Sequence, residues 1–210
     1  MSDPAELFDA ILTGNAKKAE EVTKAALEAG ANPSELLGKY MIPAMDEVGN
    51  RFECNEYFVP ELLIAARAMK TSLALLSPRL AEMGAEAAGR VVIGTVQGDL
   101  HDIGKNLVAS MLEGGGFEVV DLGVDVSPKR FVEEAQARDR TIVALSALLT
   151  TTMTQMKAVI EALSAAGIRD KTKVIIGGAP ITQQYADEIG ADGYSDNASA
   201  AVSLARKLVG

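Results

Sequence analysis

The stretch VVIGTVQGDLHDIGKNLVASML, residues 91–112, changes its hydrophobic pattern halfway along its length. Its first residues are mostly apolar and β-branched, which is typical of a strand buried on both faces. After a glycine-bounded loop, apolar residues recur at helical spacing from Gly104 onward. A strand, a loop and a helix in this order predict the first unit of a parallel α/β sheet.

The same alternation of strand and helix patterns continues to the end of the chain. Predicted strands cover 90–96, 118–123, 141–147, 173–178 and 192–195. Predicted helices cover 104–115, 128–138, 150–167, 180–190 and 197–209. Because parallel strands need right-handed helical crossovers, we expect a flavodoxin-like, doubly wound, five-stranded parallel sheet of order 2-1-3-4-5 over residues 91–210.

Residues 1–80 carry helical patterns only and predict a four-helix bundle, a cap domain that precedes the sheet. Asn15 and Asn32 stand where the second and third helices would begin. The third helix contains Pro43, where we expect a bend or a break. Residues 81–90 are small, partly charged and unpatterned, so they are interpreted as a linker between the two domains.

Composition narrows the class of protein. A chain of 210 residues with 48% hydrophobic and 23% charged residues is typical of a soluble globular protein, and no apolar run reaches the ~18 residues of a membrane helix. The net charge of −9 argues against a nucleic-acid partner. One cysteine excludes an internal disulfide, and the acidic N-terminus does not resemble a secretory signal, so we expect a cytoplasmic protein.

The chain has a single histidine, His101, and the loop after the first strand places it between Asp99 and Asp102. In doubly wound sheets, ligands bind beyond the carboxyl ends of the strands where the strand order reverses, here between strands 1 and 3. The loop after strand 3 is rich in hydroxyl groups, so the topology is expected to bring three of them near His101: Ser146, Thr150 and Thr152. This convergence predicts a binding site.

A phosphate site explains the loop poorly. Five residues, not four, separate Gly98 from Gly104, and Asn106 stands where a nucleotide-binding loop has Ser or Thr. A hydrolase-like triad of Ser146, His101 and Asp99 stays open, although no G-x-S-x-G motif is present.

Two further residues have simpler interpretations than catalysis. Cys54 is expected to be a buried structural cysteine rather than a nucleophile, because no histidine is near it in the sequence. Asp102 is equally well explained by a favourable charge at the N-terminus of the following helix.

Metal ligation is the remaining interpretation of His101. An imidazole that a carboxylate holds at one ring nitrogen presents the other nitrogen to a metal. One protein ligand is too few for a protein-built zinc or iron site, so the metal would arrive in a macrocycle that needs an axial ligand. Haem meets this condition, but the hydroxyl-rich sheet edge does not favour it.

Three motifs in the predicted sheet domain resemble the corrinoid (cobalamin) binding family. Asp99–Gly104 matches D-x-H-x-x-G, Ser146–Leu148 matches S-x-L, and Gly177–Gly178 matches G-G. The helical half, in PAMDEVGNRFECNEYFVPELLIAARAM at 43–69, also resembles the bundle of this family. The likeness is strongest to stand-alone corrinoid proteins of methyltransferase systems, and the chain is also similar to the cobalamin-binding region of methionine synthase.

The resemblance implies a corrinoid bound with its own base displaced and His101 as the lower cobalt ligand. Asp99 and Thr152 would relay a proton to His101, with Thr150 as the alternative hydroxyl. The implied cofactor contacts are Gly98, Asp99, Leu100, His101, Asp102, Ile103, Gly104, Ser146, Leu148, Thr150, Gly177, Gly178, Tyr194, Ala198 and Phe58. Phe58, with Leu62 and Leu63 nearby, would shield the upper face of the ring, although a place in the bundle core explains Phe58 equally well.

The function that the resemblance implies is that of a methyl carrier. Cobalt(I) would accept a methyl group from a substrate-specific methyltransferase, and the methyl-corrinoid intermediate would deliver it to a second methyltransferase that uses tetrahydrofolate or a thiol. A reductive activating protein is a further implied partner. Two alternatives remain: the cobalamin-binding subunit of a carbon-skeleton mutase, which shares D-x-H-x-x-G, and a cobalamin-based sensor.

Overall fold

The computed structural model describes residues 4–85, 87–138 and 140–209. They form two compact units, one of residues through Ala87 with Glu113–Gly116, the other of Ala88–Leu112 with the residues from Phe117 onward. Glu86, in the predicted linker, lies outside the described residues. Across the described ranges, no helix combines the length and the apolar character that crossing a membrane requires.

The first unit is helical, as the sequence predicts. Its α-helices are α1 (Glu6–Leu12), α2 (Ala16–Glu28), α3 (Pro33–Leu36), α4 (Ile42–Glu53) and α5 (Val59–Glu82). The side chains of Asn15 and Asn32 accept hydrogen bonds from the first-turn N–H groups of α2 and α3, which explains where these helices begin. α5 packs against α2 and α4, and α1 packs against the same two helices.

The predicted third helix is interrupted before Pro43 rather than at it. Residues Leu37–Met41 form a π-helical segment between α3 and α4, and Pro43 lies in the first turn of α4. Proline has no N–H to donate to the preceding turn, and a π segment accommodates that missing hydrogen bond.

The expectation that Cys54 is buried is wrong. Cys54 follows the last residue of α4 and is exposed, because the helix ends there and the chain turns at Asn55 with a positive φ of 59°. Helical periodicity gives no burial information beyond the end of a helix.

The second unit is a parallel sheet with the predicted order β2-β1-β3-β4-β5. Its strands are β1 (Arg90–Thr95), β2 (Glu118–Asp121), β3 (Thr141–Ser146), β4 (Thr172–Gly177) and β5 (Gly193–Tyr194). Its helices are α6 (Ile103–Gly114), α7 (Pro128–Ala135), α8 (Thr154–Ala165), α9 (Gln183–Ile189) and α10 (Ala198–Val209). Strands alternating with helices therefore give the α/β fold that the sequence predicts.

The two faces of the sheet differ in how they are covered. Val92, Val143 and Val174 pair across β1, β3 and β4 and belong to one apolar cluster with residues of α7, α8 and α9. Residues one step further along each strand point to the opposite face. Above that opposite face is a cavity, which is lined by strand residues and by residues of α6 and α10.

Helix α8 begins at Thr154, four residues later than the predicted start at Thr150. Residues 149–153 form tight turns instead, in which Thr152 and Met153 donate backbone hydrogen bonds to the carbonyl of Leu149. The difference has a local cause, because groups of this segment bond to the carboxylate of Asp99 from another loop. Sequence periodicity cannot reveal such a tertiary partner.

Candidate functional site

A fully buried carboxylate, Asp99, lies in the middle of the loop between β1 and α6. Its Oδ2 atom accepts hydrogen bonds from the N–H of Leu148 at 2.8 Å, the N–H of Leu149 at 3.3 Å and the hydroxyl of Thr152 at 2.7 Å. Its Oδ1 atom accepts from the N–H of His101 at 3.1 Å. One carboxylate therefore joins the loop after β1 to the loop after β3.

The ionisation of Asp99 follows from these contacts. Burial alone would raise the pKa of its carboxyl group, but hydrogen bonds from Leu148, Thr152 and His101 outweigh burial and hold that pKa well below its usual range. Asp99 is therefore anionic at neutral pH and can only accept hydrogen bonds.

The imidazole of His101 is oriented by the same carboxylate. Its Nδ1 atom lies 2.7 Å from Oδ1 of Asp99, and its side chain is 51% exposed. Because an anionic carboxylate only accepts, Nδ1 carries the proton and donates it to this hydrogen bond. In the neutral imidazole, Nε2 is then the nitrogen with a free lone pair that can act as a ligand.

The backbone of the His101 loop is held at three points. The hydroxyl of Thr95 donates to the carbonyl of His101 at 2.8 Å, the N–H of Gly98 donates to Oδ1 of Asp125 at 2.7 Å, and the N–H of Asp125 donates to the carbonyl of Asp99 at 3.0 Å. Gly98 has a φ of +81°, a left-handed conformation that favours glycine. The imidazole therefore stands on a loop whose position is determined by its surroundings.

The two candidate relay hydroxyls differ in their placement. Thr152 is buried and its hydroxyl bonds Asp99, whereas Thr150 is exposed and does not line the cavity. The geometry favours Thr152 as the third member of the group with Asp99 and His101.

A cavity of about 660 Å³ opens beside His101 at the carboxyl edge of the sheet. This volume is within the usual range for small-molecule and cofactor sites. Predicted contacts that line it are Leu100, His101, Asp102, Ile103, Gly104, Ser146, Leu148, Gly177, Gly178, Tyr194 and Ala198. The structure thus brings together residues from the ends of four strands.

Four of the predicted contacts do not line this cavity. Gly98, Asp99 and Thr150 are absent from its wall, although Asp99 supports the imidazole from behind. Phe58 belongs to the helical unit and is 60% exposed, so its interpretation as a bundle-core residue is wrong. Leu62, one turn further along α5, is the core residue there, with no exposed surface.

Gly178 allows a close approach of two loops at the cavity wall. A Cβ atom built on it would lie 1.9 Å from the carbonyl oxygen of Ala147, and its φ is +129°. Only glycine fits this position, so the loops after β3 and β4 can lie against each other.

An ion pair between a buried lysine of the cavity wall and an exposed aspartate was not anticipated from the sequence. Lys105 in α6 is 3% exposed, and its Nζ atom donates to Oδ2 of Asp121 at 2.5 Å and to Oδ1 of Asn106 at 2.6 Å. The Asn106 side chain donates in turn to Asp102, which directly precedes α6. A lysine within the apolar pattern of α6 is the sequence signal that could have indicated a buried partner.

The donor set restricts the kind of metal that the site could hold. In the described parts of the chain, no three His, Cys, Asp or Glu side chains form a group that could bind a metal ion. One imidazole beside a cofactor-sized cavity instead fits a metal whose other ligands come from its own macrocycle.

Comparison with known proteins assigns the family. A model described as B12 binding domain matches residues 89–203, and a second model of the same description matches residues 5–77. The chain therefore belongs to the B12-binding family.

Individual relatives agree along nearly the whole chain. The chain is 46% identical to trimethylamine corrinoid protein 1 of Methanosarcina acetivorans over 98% of its own length and 96% of the relative. A crystal structure of a cobalamin-binding protein from Desulfitobacterium hafniense matches with a TM-score of 0.81 and 35% identity over 100% of both chains. A methanol:cobalamin methyltransferase complex from Methanosarcina barkeri matches with a TM-score of 0.85 and 29% identity, over 97% of this chain and 78% of that one.

Proposed function

We propose that the cavity beside His101 binds a corrinoid, and that the protein carries methyl groups between two methyltransferases. The observation that supports this most is a single half-exposed imidazole, oriented by a buried carboxylate, at the mouth of a 660 Å³ cavity. In this proposal Nε2 of His101 is the lower ligand of the cobalt, and the cofactor's own base is displaced into the cavity. The corrinoid-protein names of relatives 46% identical support the same conclusion.

Asp99 and Thr152 control the proton at His101 in this proposal. Asp99 keeps Nδ1 protonated, which leaves Nε2 unprotonated for the metal. The anionic Asp99 would also stabilise an imidazolium, were Nε2 to hold a proton in place of the metal. Thr152 supports this role because its hydroxyl compensates part of the negative charge on Asp99 Oδ2.

The displaced nucleotide tail would enter between the loops after β1, β3 and β4. Ser146 and Leu148 line one side, Gly177 and Gly178 the second, and Tyr194 with Ala198 the far side. A Cβ atom on Gly178 would meet the carbonyl oxygen of Ala147 at 1.9 Å and one on Gly177 that of Ser195 at 3.2 Å, so these glycines let the neighbouring loops pack closely beside this entrance.

When bound, the corrinoid would supply a nucleophilic cobalt that can accept and release a methyl group. The protein would exclude water from this group, and exposed Phe58 and Leu63 of the helical unit are the proposed apolar shield. The remaining partners in this proposal are a tetrahydrofolate- or thiol-dependent methyltransferase and a reductive activating protein. We place this reaction in the cytoplasm, where a lone exposed cysteine such as Cys54 stays reduced.

The first methyl donors to test are methylated amines and methanol, because these are the substrates in the names of the related proteins. Protein reconstituted with cobalamin would be reduced to the cobalt(I) state with a low-potential chemical reductant and incubated with each donor and its purified methyltransferase, and the absorbance of the corrinoid followed. Methylation of the bound corrinoid by one donor system is the expected result. A protein that retains no corrinoid after gel filtration would refute the proposed function.

A further inference from the structure

The inner end of the cavity is formed by one row of residues across the sheet. Ile93, Ala144 and Ile175 are register partners in β1, β3 and β4, and all three line the cavity. Ser146 lies two residues after Ala144 and so faces the same side, about 7 Å nearer the mouth. We call Ile93, Ala144 and Ile175 the inner row.

The inner row has room at its centre. Ala144 on the central strand stands between two isoleucines, and its small side chain leaves a depression in the sheet surface there. Val108 of α6 and Ala201 of α10 line the same cavity from the helices that flank it.

Among the residues that the structure describes, the side chains around the inner end offer no hydrogen-bonding partner. The five side chains around it are apolar, and the strand N–H and carbonyl groups are engaged in the parallel ladders. The mouth, at the carboxyl ends of the strands, is different, because Asp102, Ser146, Ser195, Asp196 and Asn197 place charged, amide and hydroxyl groups there. The cavity therefore changes from polar at its mouth to apolar at its inner end.

We propose that the inner row selects the nucleotide base of the corrinoid, favouring a benzimidazole over a purine. This inference depends on the proposed corrinoid function and adds the class of cofactor to it. A displaced benzimidazole presents one ring nitrogen and an otherwise apolar edge, whereas adenine adds two ring nitrogens and an amine. Adenine groups left without partners at the inner row would weaken binding by about tenfold to a hundredfold.

The test compares three cobalt corrinoids on the full-length protein: cobalamin, which carries dimethylbenzimidazole, an adenine-containing cobamide, and cobinamide, which lacks the nucleotide. Dissociation constants come from absorbance titration. Wild-type protein should bind cobalamin at least about tenfold more tightly than the adenine form.

Ala144→Leu fills the depression and should weaken cobalamin binding by about tenfold or more while leaving cobinamide binding unchanged. Val143→Leu is the matched control, because Val143 is the neighbouring residue on β3 and faces the opposite, fully packed side. It should change neither affinity. Ala201→Val provides a second, milder substitution at the same inner end if Ala144→Leu fails to fold.

The outcomes separate this inference from the function on which it depends. Equal affinity of the wild type for the benzimidazole and adenine forms would overturn the base selection. The same would follow if Ala144→Leu weakened cobinamide as much as cobalamin, or if Val143→Leu matched its effect. Failure of the wild type to bind any of the three corrinoids would instead overturn the proposed function itself.

Discussion

At the scale of single residues, the site depends on a carboxylate that has no contact with solvent. Asp99 is 0% exposed, and its two oxygens accept hydrogen bonds from backbone and side-chain donors of two loops. Such an arrangement is favourable only while the donors remain, because a buried charge without partners is strongly destabilising. Substitutions around Asp99 therefore test the geometry of the site without any cofactor.

Removing the hydroxyl of Thr152 should destabilise the protein. Thr152→Val takes away the donor 2.7 Å from Asp99 Oδ2, so the free energy of unfolding should fall by about 1–3 kcal/mol. Thr152→Ser retains the hydroxyl and should recover most of that loss. Thr150→Val is the control at an exposed threonine and should change the free energy by less than about 0.5 kcal/mol. Urea unfolding of the apoprotein measures all three, and equal effects at both positions would contradict the assigned contact.

Asp99 should also make stability depend on pH in a defined direction. The pKa of Asp99 is lowered in the folded protein, whereas an aspartate in an unfolded chain has a pKa of about 3.9, so the folded state binds fewer protons. The contribution is complete above the unfolded pKa and is lost as pH falls toward the folded pKa. The difference in unfolding free energy between wild type and Asp99→Asn should therefore be largest at neutral pH and shrink below about pH 4. A difference that stays constant from pH 7 to pH 3 would show that the carboxylate is not stabilised as described.

At the scale of secondary-structure elements, the ion pair of Lys105 and Asp121 fastens the first turn of α6 to the end of β2. The two partners are unequally buried: the Lys105 side chain is 2% exposed and that of Asp121 is 40% exposed. If Lys105 is removed, water can therefore solvate the carboxylate of Asp121. If Asp121 is removed, water cannot solvate the buried ammonium group of Lys105 in the same way.

This asymmetry predicts unequal effects of the two single substitutions. Asp121→Ala leaves a buried ammonium group without its carboxylate and should lower the free energy of unfolding by about 3 kcal/mol. Lys105→Met leaves a hydrated carboxylate and an apolar side chain of similar length, and should cost about 1 kcal/mol or less. Thermal unfolding of the apoproteins measures both losses in the free energy of unfolding. A larger loss for Lys105→Met than for Asp121→Ala would contradict the unequal burial of the two partners.

Element types and their order could be predicted from the sequence because periodicity reports which faces are buried. The helix-only first half and the strand–helix alternation from Arg90 onward are both confirmed. The convergence of His101, Asp99 and Ser146 at one edge followed from topology alone. Three features could not be predicted: the late start of α8, the π segment before Pro43 and the partner of Lys105. The first and third depend on contacts from distant loops and strands, and the second on how the backbone relaxes around a proline.

At the scale of the whole molecule, the chain consists of a helical unit and a sheet unit. α5 ends at Glu82 and β1 begins at Arg90, and the described residues between them, 83–85 and 87–89, belong to neither a helix nor a strand. A methyl carrier must present its cofactor to different enzymes in turn, and we infer that movement about this linker allows that.

Joining the two units covalently should separate binding from transfer. A disulfide between engineered cysteines, one in each unit, in a Cys54→Ser background should leave corrinoid affinity unchanged and stop methyl transfer. Reduction of the disulfide should restore transfer in the same sample. If the oxidised, cross-linked protein transferred methyl groups at the wild-type rate, movement about the linker would not be required for transfer.

The most direct measurement uses the fact that His101 is the sole histidine of the chain. Protein labelled with ¹⁵N-histidine is loaded with cobalamin, reduced to the cobalt(II) state and examined by electron paramagnetic resonance. If Nε2 of His101 is the axial ligand, labelling should convert the three-line nitrogen splitting of the cobalt signal into a two-line splitting. A three-line splitting that persists would show that the cofactor's own base remains bound, and the absence of any nitrogen splitting would show that no imidazole reaches the metal.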